Sequence, residues 1–207
     1  ASVGVEISGA SDQLDATKAA LAANYPVALV IIFLLLVAIF RHWGYPLLIM
    51  TTIPLGIAGG IVGLALLNVV GATLGALGLG GFNQPFDMIS MLGFLILMGT
   101  VVNNPILIVD RAIQRLDEGG ATALDAVRDA VASRLRPIAM STLTTLCGLS
   151  PLVFIPGAGT ELYRGVGAIV LFGILGAAIV SLTMLPALTV SVLDRARAAE
   201  PLPRPAA

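Results

Sequence analysis

The sequence predicts an all-α membrane protein, a five-helix transmembrane bundle with one amphipathic helix at the membrane interface. Three observations predict it. The 207 residues are 57% hydrophobic and 11% charged, with mean hydropathy +1.00, whereas soluble domains carry roughly 25% charge. The uncharged residues fall into runs long enough for helices of about 20 residues to cross a bilayer. The charges lie between those runs and are segregated, so the net charge of −1 says nothing about partners.

Taken in order, residues 1–18 precede the first span. Val3, Val5 and Ile7 alternate with Ser2, Gly4, Glu6 and Ser8, the pattern of a half-buried strand end. A strand arriving at the membrane implies an extracytoplasmic domain upstream. The chain starts at Ala1 without methionine and without the basic n-region of a signal peptide, and reads as a piece of a longer polypeptide. The first span covers about 21–40. Arg41, His42, Trp43 and Tyr45 follow as a basic and aromatic interface turn, in which His42 is an anchor rather than a proton shuttle. The second span runs over 46–69. Its small residues recur at intervals of four, Gly56 with Gly60 and Gly59 with Gly63, which permits close helix approach.

Gly71 to Pro85 is rich in glycine and closes on Asn83, Gln84 and Pro85, a composition that predicts a loop. The third span, 88–109, opens on Asp87 as N-cap and stops at Asp110 and Arg111. Beyond Gly119-Gly120, Thr122 and Asp125 have a capping-box-like spacing. Leu124, Val127, Val131 and Leu135 then recur at helical spacing, with Arg128 and Arg134 on the polar flank. That is an amphipathic interfacial helix joining spans three and four. The fourth span, 137–155, ends in the turn Pro156-Gly157-Ala158-Gly159, and the fifth covers 166–193. Glu161, Tyr163 and Arg164 between them read as solvated loop. Residues 195–207 form the tail, so the bundle proper is 19–194.

Five spans put the two ends on opposite sides. Arg41, Arg111, Arg115, Arg128, Arg134, Arg136, Arg195, Arg197 and Arg204 gather on one side, and only Lys18 and Arg164 on the other. Positive charge is retained inside, so the C-terminus is predicted to be cytoplasmic and the N-terminal end periplasmic.

The candidate site lies in span three. Asn103 and Asn104 stand in an otherwise apolar stretch with no charge in it, Met88 to Val109, and hydrocarbon does not solvate an amide. Pro105 removes a backbone donor beside them and should kink the helix. A polar helix-packing contact is the alternative reading. Ser141 and Thr142 are hydroxyls on span four that could work with the amides or merely bond back to their own helix. Cys147, the single cysteine, allows neither a disulfide nor a metal cluster and reads as a small packing residue. With no Gly-x-Ser-x-Gly elbow, no His-Glu-x-x-His pair and one histidine, an enzyme is disfavoured.

The run Gly99-Thr-Val-Val-Asn-Asn-Pro-Ile-Leu-Ile-Val-Asp110 resembles the tenth transmembrane helix of resistance–nodulation–division (RND) efflux pumps. The likeness continues through Ala126-Val127-Arg128 and Arg134-Leu-Arg-Pro-Ile-Ala-Met-Ser-Thr142. It resumes at Gly148-Leu-Ser-Pro-Leu-Val153, Gly157-Ala-Gly159 and Leu185-Pro-Ala-Leu188, covering nearly the whole chain in order. The chain looks most like the hydrophobe/amphiphile exporter branch, as the C-terminal membrane bundle, spans eight to twelve, of a twelve-span transporter.

The resemblance implies a proton-driven, trimeric inner-membrane antiporter for multidrug efflux of amphiphilic compounds, with the proton gradient as energy source and no cofactor. It implies as partners membrane lipid, the N-terminal half of the same permease, a periplasmic adaptor and an outer-membrane channel, and no nucleic acid. Residues 1–18 become the end of a periplasmic porter domain, and 195–207 a cytoplasmic tail. Protons in the family pass through a buried cluster of two aspartates on the fourth span and polar residues on the tenth and eleventh. Asn103 then occupies a position that is often lysine, Asn104 the asparagine position, Ser141 that of a hydroxyl residue, and Arg134 an arginine at the inner mouth. Pro105 replaces a small residue. An amide cannot take up charge as a lysine does, so the titrating groups would be the aspartates upstream. The alternatives are a sensor or binding module of the same superfold, such as a sterol-sensing bundle, and an inactive fragment.

Overall fold

A computed structural model describes residues 10–78, 81–119, 121–155 and 157–199, and the described residues are helical apart from short connections. The proposed strand at residues 3–7 lies outside them. The helices are α1 (Ala10–Phe40), α2 (Gly44–Met50), α3 (Thr52–Ala76), α4 (Met88–Val101), α5 (Asn103–Asp117), α6 (Ala123–Phe154) and α7 (Ala158–Ala199). Two pairs each make one crossing, so that five helical stretches are long and apolar enough to span a membrane. The fold is the predicted all-helical membrane bundle.

Each break has a local cause. Arg41 takes φ 50 and ends α1, and the His42 ring accepts a hydrogen bond from the Gly44 N–H (2.9 Å) and stacks on Tyr45. Thr51 interrupts α2 and α3 because Pro54 has no N–H to offer the carbonyl four residues back. The hydroxyls of Thr51 and Thr52 donate to the carbonyls of Leu48 and Ile49 at the same place. Pro105 acts likewise on Val101, and α4 gives way to α5 at Val102.

Helix α7 is the hub and packs on α3, α6 and α4. Without a hydrophobic drive between helices in lipid, close approach decides which pairs hold. A Cβ on Gly63 would overlap Phe172, and one on Gly59 would stand 3.3 Å from the Phe172 carbonyl, so these two positions let α3 and α7 meet backbone to backbone. Gly60 faces α7 as well: a Cβ there would come within 3.0 Å of the Ile169 carbonyl. Helix α1 lies at the edge, with Val27, Val30, Ile31, Leu34 and Leu35 exposed. The Tyr25 hydroxyl holds it to α4 by donating to the Met91 carbonyl (2.6 Å).

Five sequence readings are corrected. Helix α3 runs on to Ala76, although the glycine-rich composition from Gly71 predicts a loop. The reason is tertiary: the 81–87 segment folds back along the helix, its Phe82 carbonyl against Gly71, leaving room for no side chain there. Asn68 clamps it by donating to the Gln84 carbonyl (3.0 Å) and accepting from the Gln84 N–H (2.8 Å). Helix α7 begins at Ala158 rather than near 166, and Arg164 is buried rather than solvated, 5% exposed, its guanidinium 4.7 Å from the Phe82 ring centroid. Cys147 is exposed on α6 instead of packed inside. The amphipathic segment is helical, but it continues without a break into the fourth span as one helix, α6.

Both proposed caps form. The Thr122 hydroxyl oxygen accepts from the Asp125 N–H (3.2 Å), and the Asp87 carboxylate accepts from the Ser90 N–H (2.7 Å). Asp87→Ala should therefore lower stability by about 1 kcal/mol, with Asp87→Asn close to the parent, as read by thermal melting of the detergent-solubilised protein. Where α5 meets α6, Arg111 and Arg115 both reach Asp129 and Glu118. The hydrogen bond from Arg115 holds the Glu118 carboxyl below its ordinary range. Its contribution is present above that range and is lost as pH falls through the lowered value; exposure keeps it small.

Candidate polar site between spans three and four

The break at Val102 brings the asparagine pair to the start of α5, opposite the hydroxyl-bearing middle of α6. Thr100, Asn103, Asn104, Ser141, Thr142 and Thr145, with Ile174 of α7, line a cavity of about 60 Å³. That is room for ordered water among polar walls. Four of the five residues singled out in the sequence thus come together. The fifth does not: Arg134 sits seven residues before Ser141, about 10 Å along the helix axis, and is not part of the lining. Its Nε is buried without a hydrogen-bond partner.

The hydroxyls divide into two kinds. Ser141 donates to the Ile138 carbonyl (3.1 Å), Thr145 to that of Ser141 (2.9 Å) and Thr100 to that of Ile96 (2.7 Å), the back-bonding habit of hydroxyls in apolar helices. The Thr142 hydroxyl is buried with no partner. Asn104 is buried at 8% exposure, whereas Asn103 and Ser141 are exposed at the open side of the cavity. Among the described residues neither asparagine amide is hydrogen-bonded. Both are therefore free to donate to and accept from a guest.

Thr100 and Thr145 were not singled out by the sequence reading. The signal was present: Thr100 stands three and four residues before the asparagines, and Thr145 four after Ser141, so each shares a helix face with its neighbour. No carboxylate or cation lines the cavity. Its groups can hydrogen-bond a titrating guest without changing charge themselves. Around the opening, a Cβ on Gly99 or Gly148 would meet nothing within 4 Å, and Thr144, beside Ser141 and Thr145 on α6, is exposed. Among the described residues nothing covers this face of α4 and α6.

Residues 1–192 match the model of the AcrB/AcrD/AcrF family. Multidrug resistance protein MdtF of Escherichia coli K12 is 31% identical over 192 residues, 93% of this chain and 17% of that protein. Multidrug export protein AcrF of the same strain is 32% identical over 186 residues, 90% of this chain and 16% of the relative. Multidrug resistance protein MdtC of Photorhabdus laumondii is 32% identical over 171 residues, 83% and 15%. The chain spans about a sixth of the length of these relatives.

Proposed function

Since the chain belongs to the AcrB/AcrD/AcrF family of RND transporters, we propose that it is the C-terminal membrane part of a multidrug efflux permease. It is a transporter rather than an enzyme, and its polar cavity is one wall of the proton route. The observation that carries this is the uncovered face. An exposed Asn103 amide in hydrocarbon would cost several kcal/mol, and the cavity behind it contains amides and hydroxyls but no group that titrates.

The cover is the N-terminal half of the same permease, which brings paired carboxylates against Asn103, Asn104, Ser141 and Thr142. Two carboxylates at close range do not both ionise readily, so the pair holds and releases a proton while the amides follow its charge. Arg134 lies at the cytoplasmic mouth of this route. The proton gradient is the energy source, with no cofactor. The basic residues at the ends of α5, α6 and α7 keep that side in the cytoplasm, which makes this an inner-membrane, multi-pass antiporter. A homotrimer working with a periplasmic adaptor and an outer-membrane channel completes the proposal as the family resemblance implies, and the names of the relatives as multidrug proteins support the efflux reading alone.

The test uses the full-length protein in liposomes with an imposed pH gradient. Substrate-dependent proton flux is expected, in the direction opposite to substrate. Substrate movement that ignores the gradient sinks the proton-driven reading.

A further inference from the structure

The opposite end of the bundle from the α5–α6 ion cluster has a second polar cavity, of about 350 Å³. It is lined by Gly81, Phe82, Asn83, Gln84, Pro85, Glu161 and Arg164. Its roof is held in place: Asn68 clamps the backbone of Gln84, and Asp87 caps the helix that follows. Arg164 is 5% exposed, and its Nε is buried without a partner. Among the described residues its guanidinium is partnered by the face of the Phe82 ring alone. A guanidinium withdrawn from water needs an anion or several acceptors to repay its desolvation. A ring face supplies only part of that.

Glu161, one turn before Arg164 on α7, lines the same cavity, yet no carboxylate of the described residues lies within ion-pair distance of Arg164. Opposite charges held apart across one polar space suit a guest carrying both. The flanks are apolar: Phe86, Leu162 and Tyr163, each next in sequence to a lining residue, are 59%, 51% and 51% exposed. The amphipathic ring of Tyr163 at the end of a span is of the kind that sits at head-group depth.

We propose that this cavity seats the head group of a zwitterionic phospholipid with a primary ammonium. Its phosphate lies on Arg164, its ammonium faces Glu161, and its acyl chains run along Phe86 and Leu162. The guanidinium fork fits a phosphate through two parallel hydrogen bonds. The amides of Asn83 and Gln84 line the same space.

The test is lipid retention by the full-length protein released from nanodiscs, read by native mass spectrometry. Phosphatidylethanolamine should be retained over phosphatidylglycerol, which lacks the ammonium. Arg164→Met, which keeps the packing volume, should weaken retention about tenfold or more, the weight of a charged hydrogen bond. Glu161→Gln alters an exposed residue and should keep the fold while erasing the preference between the two lipids. Soluble glycerophosphoethanolamine should fail to compete if the chains contribute. Competition by it at equal concentration reassigns the cavity to a free head group and overturns the lipid assignment. Equal retention of both lipids by the parent overturns it as well, as does unchanged retention by Arg164→Met. So does a parent that retains neither because a carboxylate elsewhere in the protein fills the cavity.

Discussion

Gly63→Val should unfold the bundle or prevent its assembly, the largest stability effect expected of any single helix position here. The added Cβ would overlap Cβ and Cγ of Phe172. A Cβ is fixed to its backbone, so relief requires α3 and α7 to part rather than one side chain to turn. Overpacking of this kind costs about 3 kcal/mol or more, and α7 carries most of the packing of α3, α6 and α4. The neighbouring Val62 is 66% exposed, so Val62→Ala should be nearly neutral. Monodisperse yield and melting temperature of the full-length protein in detergent check both. A Gly63→Val protein that melts with the parent would mean that the two helices are not in backbone contact.

Asn104→Leu should remove transport while leaving expression and melting temperature close to those of the parent. Leucine keeps the γ-branched shape of asparagine with methyls in place of O and NH₂, its extra bulk can enter the cavity that Asn104 lines, and Asn104 makes no hydrogen bond among the described residues that the change would break. What disappears is the amide facing the cavity beside the unpartnered Thr142 hydroxyl. If that amide bonds an ionised carboxylate during the cycle, its loss costs about 1.5–3 kcal/mol, ten- to a hundredfold in rate. Drug resistance in an efflux-deficient host and proton flux in liposomes both read it. Transport at the parental rate would reduce the asparagines to a packing contact.

Much of this fold is legible in the residues because span length and charge gaps are set by the bilayer rather than by partners. Asp87 and Thr122 announce their helices by cap chemistry that acts within three residues. The polar site is legible for a similar reason, since amides and hydroxyls are conspicuous in an apolar run. The residues misread are those decided over long separations. Gly71 is helical because Phe82 returns to it, and Arg164 is buried because the 81–87 segment is pinned over it by Asn68. Cys147 looks like core by composition, yet nothing in its own helix says which face of α6 meets α7.

Three of the hydroxyls that line the polar cavity spend their protons on their own helices, so Thr100, Ser141 and Thr145 offer a guest mainly lone pairs. A wall of acceptors favours an acid that still has its hydrogen and is indifferent to one that has lost it. The asparagine NH₂ groups do the reverse. A guest that moved between these acceptor oxygens and the asparagine NH₂ groups would change its proton affinity without any residue of this chain gaining or losing charge.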